Sequence, residues 1–274
     1  MMPIRRDLQF RLPEDRIADW NPKAGPHVAL FMNTLSLFFP VGERFFIQAV
    51  RHYRDRITDP ELKKAVTAFI GQEAMHGREH EAYNEAYFQR VPAAREMEAL
   101  VARLLSTLQR HTPKRAQLSA TLALEHFTAI MADGLLKDPR ILDGADPAYA
   151  ALWNWHALEE TEHKAVAFDV WETVMGKGPV AYAERTLGLV MATVIFWSLV
   201  TPFFLRAVQA EGRLTDLEGW RGWADHTFGK IGFMRRLVRP WADYFRPDFH
   251  PWDHDNRHFL DRLKAIEQRF AEAA

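Results

Sequence analysis

Apolar residues recur at i, i+3, i+4 and i+7 along most of the chain, the spacing that gathers them on one face of an α-helix. Alternating β-branched runs bounded by tight-turn pairs, the mark of strands, are missing. The pattern predicts helices over about 26–53, 60–89, 92–111, 115–137, 147–175, 180–209, 221–245 and 253–272, and so an all-α fold. Two starts are written in the same way. Asp59-Pro60 and Asp146-Pro147 each read as a capping side chain followed by proline at the first helical position. Gly176-Lys177-Gly178-Pro179 reads as a glycine cap and then a breaker. Pro40 falls inside the first long pattern, so that helix is either kinked or restarted there.

One stretch stands out from the amphipathic background. Thr186 to Leu205 carries no charge and is flanked by Arg185 and Arg206. About twenty such residues suffice to cross a bilayer. Gly188, Thr193, Ser198 and Pro202 within it fit better a helix buried in the protein or lying at a membrane interface. The first twenty residues lack the apolar segment of a secretion signal, so a cytoplasmic protein is expected, membrane-associated if 186–205 makes surface contact. Three regions follow: an extension over 1–25, a helical bundle over 26–178 with an extra helix near 92–111 in its crossover, and a helical region over 179–274. The last is rich in Trp and Arg (Trp220, Trp223, Trp241, Trp252), a surface that covers a core, binds a partner or meets a membrane.

The chemistry lies in a repeat. Fourteen residues after each capping Asp comes Glu-x-x-His: Glu73 with His76, and Glu160 with His163. Both motifs therefore sit roughly 21 Å above their helix starts. Each is preceded by a Glu on an apolar face: Glu43 among Phe38, Phe39, Phe45 and Phe46, and Glu125 among Leu122, Leu124 and Phe127. Folding each pair as a helical hairpin brings its carboxylates to one height. Two hairpins packed together give a four-helix bundle holding four Glu and two His at one level, the ligand pattern of ferritin-like di-iron and di-manganese carboxylate proteins. Two divalent cations would balance four carboxylates, which could not all ionise in an apolar core alone. His80 and His156 share the same helix faces as further ligands, proton carriers or outer supports, and the outer role is the expected one. His126 points about 100° away from Glu125 and reads as structural. His250, His254 and His258 are interrupted by Pro251 and read as packing or surface residues.

Composition sharpens this. With 35 Lys and Arg against 36 Asp and Glu the chain has no basic surplus, which argues against nucleic acid as a partner. The absence of Cys excludes disulfides, thiolate metal sites, iron–sulfur clusters and a Cys nucleophile. Any metal is held by carboxylate and by some of the 12 His, a set suited to Fe, with Mn or Zn as alternatives.

Pro40-Val-Gly-Glu-Arg-Phe-Phe46, Gln72-Glu-Ala-Met-His-Gly-Arg-Glu-His80, Leu124-Glu-His126 and Trp155-His-Ala-Leu-Glu-Glu-Thr-Glu-His-Lys164, running on to Ala167-Phe-Asp-Val170 and joined by His250-Pro-Trp252, resemble bacterial proteins known as predicted metal-dependent hydrolases. These are similar in turn to ferritin-like di-metal bundles. The resemblance covers most of the chain. It implies a metal enzyme and says little about the reaction. The site chemistry favours O2 activation at two iron ions and oxidation of a hydrophobic, lipid-like substrate, with an electron donor as partner. Hydrolysis by a water between two metals is the alternative, and iron handling as a ferroxidase a more distant one. The apolar flanks also raise the expectation of a homodimer.

Overall fold

The computed structural model describes residues 1–271, and among them every regular element is helical. Eleven α-helices run in chain order: α1 (Pro26–Ser36), α2 (Phe39–Arg51), α3 (Pro60–Arg90), α4 (Ala93–His111), α5 (Lys114–Lys137), α6 (Pro147–His163), α7 (Val166–Met175), α8 (Pro179–Ala210), α9 (Leu217–Thr227), α10 (Val238–Asp243) and α11 (Leu263–Ala271). The two Asp-Pro starts behave as caps. Asp59 accepts from the Glu61 amide at 2.9 Å and Asp146 from the Ala148 amide at 2.9 Å.

Three expected helices are divided. The first breaks at Leu37 and Phe38, whose amides donate to Thr34 and Leu35, three residues back. Pro40 has no amide to continue the ladder, so the chain tightens there and restarts with Pro40 in the first turn of α2. The 147–175 helix breaks just after His163, where the buried Lys164 ammonium donates to the His254 carbonyl at 2.6 Å and to Asn256 Oδ1 at 2.8 Å. The 221–245 span is two short helices with a turn at Gly229 and Gly232 between them, and Gly232 has φ +66°. The last expected helix begins only at Leu263, after two tight 3-10 turns, and its final residue, 272, lies outside the described residues.

Helices α2, α3, α5 and α6 pack on one another, α2 with α3 and α5 with α6 most extensively, while α2 also meets α5 and α3 meets α6. The first 25 residues run over this group without strand or α-helix, turning at Glu14–Arg16. The Ile4 amide donates to Glu162 Oε2 at 3.2 Å, the Phe10 amide to Glu79 Oε2 at 2.8 Å, and Leu8, Phe10, Ile17 and Trp20 are buried. One continuous apolar core joins residues from Leu8 to Leu263.

The uncharged run lies within α8, which is long and apolar enough to cross a membrane by length and composition. Leu189, Ala192, Val200, Phe203 and Phe204 bury one face, against α1, α4 and α5. The approach to α5 is so close that a Cβ on Gly188 would lie 2.1 Å from Ser119 Oγ. The opposite face is open: Val180, Leu187, Val190, Met191, Val194 and Leu205 are all exposed. Thus α8 is buried on one side only. The late tryptophans pack on the helices: Trp223 stacks on Phe204, Trp220 lies against His27, and Trp241 donates to Thr193 Oγ1 at 3.0 Å.

Candidate metal centre

Four helices deliver the acidic and imidazole side chains to one buried spot. Glu43 comes from α2, Glu73 and His76 from α3, Glu125 from α5, and Glu160 and His163 from α6, and none is more than 3% exposed. His163 Nε2 lies 3.0 Å from Glu73, 3.6 Å from Glu125 and 3.4 Å from Glu160. His76 Nδ1 lies 3.9 Å from Glu160. Ligand-type atoms fall within 4.8 Å of one another in three sets: Glu73, Glu125 and His163; Glu43, His76 and His156; and Glu73, His76 and Glu160. The structure therefore brings together all six residues read from the repeat, in two lobes with Glu73 and Glu160 between them. Packing explains how close they come: a Cβ on Gly77 would sit 3.1 Å from Glu43 Oε2, so glycine beside His76 leaves room for that carboxylate.

The donor set is tested by its hydrogen bonds. Both oxygens of Glu43, Glu73 and Glu125, Nδ1 of His76 and Nε2 of His163 are buried without a hydrogen-bond partner. Buried polar atoms are normally paired, and each unpaired one costs about 1–3 kcal/mol. So many together, facing one another, fit a site built for cations.

The neighbours point the imidazoles inward. Gln72 donates its amide to Glu162 at 2.8 Å and to the Ile4 carbonyl at 3.1 Å, so its oxygen accepts from His163 Nδ1 at 3.1 Å and His163 Nε2 is left bare towards the carboxylates. His76 Nε2 donates to Glu159 Oε2 at 3.1 Å, leaving Nδ1 bare. Glu159 is itself held by Trp155 Nε1 at 2.9 Å and by Arg6 at 3.2 Å, and Arg6 also pairs with Glu162 at 2.8 Å. A carboxylate on one ring and an amide oxygen on the other are the kind of partners that orient metal-ligating imidazoles elsewhere. Glu159 stands four residues before His163 on α6, the spacing of a pair along one helix. It reaches across to His76 instead. Arg6 carries no pattern of its own in the sequence, and Gln72 stands out there only as the residue before Glu73.

A second relay concerns His156 and His80. Asn84 donates to the Ser36 carbonyl at 3.0 Å and to Glu98 at 2.8 Å, so its oxygen accepts from the Ser36 hydroxyl at 2.6 Å. Ser36 Oγ then accepts from His80 Nδ1 at 2.8 Å, and His80 Nε2 from His156 Nδ1 at 2.7 Å. The lone pair of His156 Nε2 is thereby aimed at Glu160 Oε1, 3.0 Å away. Two lone pairs at that distance repel unless a positive charge lies by them. His80 has the outer position expected of it. His156 faces the centre.

Electrostatics agree. Burial, then Glu73, Glu160 and Glu125, push Glu43 well above the usual carboxylate range; burial, then Glu73, does the same to Glu125, and burial raises Glu73. His163 goes the other way: burial alone would lower it, but Glu160 and Glu73 hold it well above its ordinary value. Burial alone would raise Glu160, but the neighbouring His163 holds it well below its ordinary value. The middle of this cluster favours positive charge.

The remaining histidines lie elsewhere. His126 bonds the Pro240 carbonyl at 3.1 Å and burial lowers it to about 3, while His250 pairs with Asp169 at 2.9 Å and His254 with Asp243 at 3.0 Å.

A cavity of about 510 Å³ lies between α2, α4, α5 and α8, its walls almost wholly apolar. A smaller one of about 40 Å³ touches His156 and Glu160 and shares Phe39, Thr128 and Met131 with it. Thr128 joins the two, its hydroxyl donating to Glu160 Oε2 at 2.5 Å.

No curated protein and no solved structure matches the chain. The family model described as "Predicted metal-dependent hydrolase" matches residues 4–255, nearly the whole chain, and the protein belongs to that family.

Proposed function

We propose that this is a ferritin-like di-metal enzyme in which Glu43, Glu73, His76, Glu125, Glu160 and His163 hold two divalent cations. His156 would supply a third imidazole, and Glu73, whose donor atoms fall in two of the three clusters, would serve both ions. The observation that carries this reading is the set of unpartnered donor atoms converging in a buried core, with Gln72 and Glu159 turning the ring nitrogens inward. The +4 of two cations would balance four carboxylates, three of which, Glu43, Glu73 and Glu125, are otherwise driven to bind protons.

The reaction we assign first is metal-dependent hydrolysis, in keeping with the family's description. A cation pair supplies Lewis acidity and a water acidified towards neutral pH. The chain's own residues do the rest. Phe39, Met131 and the cavity walls keep bulk water from the centre, and Thr128 stands where a substrate in the cavity meets it. The Ser36–His80–His156 relay holds a proton at His156 Nδ1 and keeps Nε2 facing inward. A second reading, oxidation of an organic substrate by O2 with iron and an electron donor, is favoured by one feature. What approaches Thr128 along the cavity is enclosed by aromatic and aliphatic side chains, surroundings that suit a hydrocarbon better than a polar ester.

One experiment separates the two. Protein loaded with Zn under anaerobic conditions is assayed against acyl esters, and protein loaded anaerobically with Fe is exposed to air with optical monitoring and O2 uptake. Ester cleavage with Zn supports hydrolysis. Substrate-dependent O2 consumption with iron, and none of that cleavage, supports oxidation. Failure to bind two ions of either metal overturns both.

A further inference from the structure

The cavity has a direction. Its lining positions on α5 run from Arg115 through Ala120 and Leu124 to Met131 along one helix face, a length of roughly 24 Å at helical rise. At one end lie Thr112, Gln117 and the ion pair of Arg115 with Glu184, at the turn between α4 and α5. At the other is Thr128, bonded to Glu160. Between them the walls are Phe, Leu, Ile, Met and Ala. The volume is that of a small-molecule site, which spans roughly 300–1,000 Å³.

Charge distinguishes the two ends. From 99 to 124 the chain has no acidic residue, whereas Arg110, Lys114 and Arg115, all exposed, flank the turn, where Glu184 of α8 pairs with Arg115 alone. The opening is also partly lateral. Leu187 and Met191 of α8 line the cavity yet are 61% and 51% exposed, and they belong to the open apolar face of that helix. A ligand passing between α4 and α8 thus crosses apolar side chains beside a basic rim.

We propose that this cavity is the binding site for a single long acyl chain bearing an anionic head. The head is held at the Lys114–Arg115 turn and the chain is laid along α5 with its far end at Thr128. The site names the substrate class of the centre under the second reading above, oxidation, because the end of the chain that reaches Thr128 is a hydrocarbon with no bond to hydrolyse, and it rests on that reading only there; chain binding itself needs no metal. A free fatty acid and an anionic phospholipid share this chemistry.

The test uses the full chain and a series of alkanoates from octanoate to octadecanoate, measured by displacement of the dye anilinonaphthalene sulfonate, with metal content determined on the same samples. Affinity is expected to rise on the order of tenfold for every two methylenes and to level off once the cavity is full. Ala120→Trp, near the basic end, should bring the plateau to short chains, and Leu124→Trp, further in, to intermediate ones. The reverse order overturns the orientation. Lys114→Glu should weaken alkanoates several-fold and leave the uncharged alkanol of equal length unchanged. A second arm presents phosphatidylglycerol or phosphatidylcholine vesicles. Co-sedimentation with the former alone makes the anionic bilayer the source of the chain, and no sedimentation with either makes it the free acid. No dependence on chain length, or a plateau unmoved by both Trp variants, overturns the assignment whatever the metal content. Glu73→Ala, expected to lose metal, should bind the alkanoates as the parent does, so loss of the metal centre and loss of the chain site are read separately.

Discussion

Replacing Glu43 by Gln should move stability in opposite directions with and without metal. Both carboxylate oxygens of Glu43 are buried without a hydrogen bond, and burial with three neighbouring carboxylates raises its pKa well above 4.5. A group raised on folding adds stability that is fully present below its unfolded pKa and lost as pH rises through the folded value. The metal-free parent is therefore penalised increasingly towards alkaline pH, and E43Q, of nearly the same shape but unable to ionise, escapes that penalty. Metal-free E43Q should melt at or above the parent, with the advantage growing from pH 6 to 9. With metal the order reverses. A ligand in thousandfold excess over its Kd stabilises by about 4 kcal/mol per site, so two sites contribute about 8 kcal/mol. At roughly 2–4 °C per kcal/mol for a large domain, the parent should gain on the order of 20 °C on loading and E43Q about half of that. Differential scanning calorimetry with and without chelator, alongside metal analysis, measures both. If E43Q lowers the melting temperature of the metal-free protein and leaves the gain on loading intact, Glu43 is a structural residue and the reasoning fails.

Three further outcomes follow from other contacts. Arg6→Ala leaves Glu159 and Glu162 buried without their cation; a loss of about 3–5 kcal/mol in chemical denaturation is expected, with metal affinity down roughly 10–100-fold as His76 loses its support. Gly188→Ala drives a Cβ against Ser119 Oγ, and the α5–α8 contact must open at a cost of about 1–3 kcal/mol; unchanged stability would mean that the two helices separate freely. Metal binding must expel protons from the raised carboxylates Glu43, Glu73 and Glu125, so apparent affinity should fall as pH is lowered, and calorimetry in buffers of differing ionisation enthalpy should show proton release.

The convergence of these side chains was legible because helices make register arithmetic. The two Asp-Pro caps and the equal spacing to each Glu-x-x-His placed Glu73 and Glu160 at one height, and the side chains do converge. What could not be read depends on contacts without a period. The break after His163 is set by Lys164 reaching a carbonyl and an amide some ninety residues away. The inward turn of His156 depends on the orientation of the Asn84 amide, three hydrogen bonds distant. The Arg6 network joins the N-terminal segment to α6, and nothing in local sequence marks it. Whether 186–205 is buried could not be decided from hydropathy, since α8 serves the core with one face and leaves the other open.

The central claim is that four helices grip two cations with Glu43, Glu73, His76, Glu125, Glu160, His163 and, inward-facing, His156. X-ray absorption at the metal edge on the Zn- or Fe-loaded protein, combined with metal stoichiometry, tests it most directly. The account predicts two ions per chain, a first shell of oxygen and nitrogen only, a metal–metal distance of roughly 3.5–4 Å, and loss of one imidazole from the scattering in H156A. One ion or none, or a shell unchanged in H156A and in E73A alike, would contradict it.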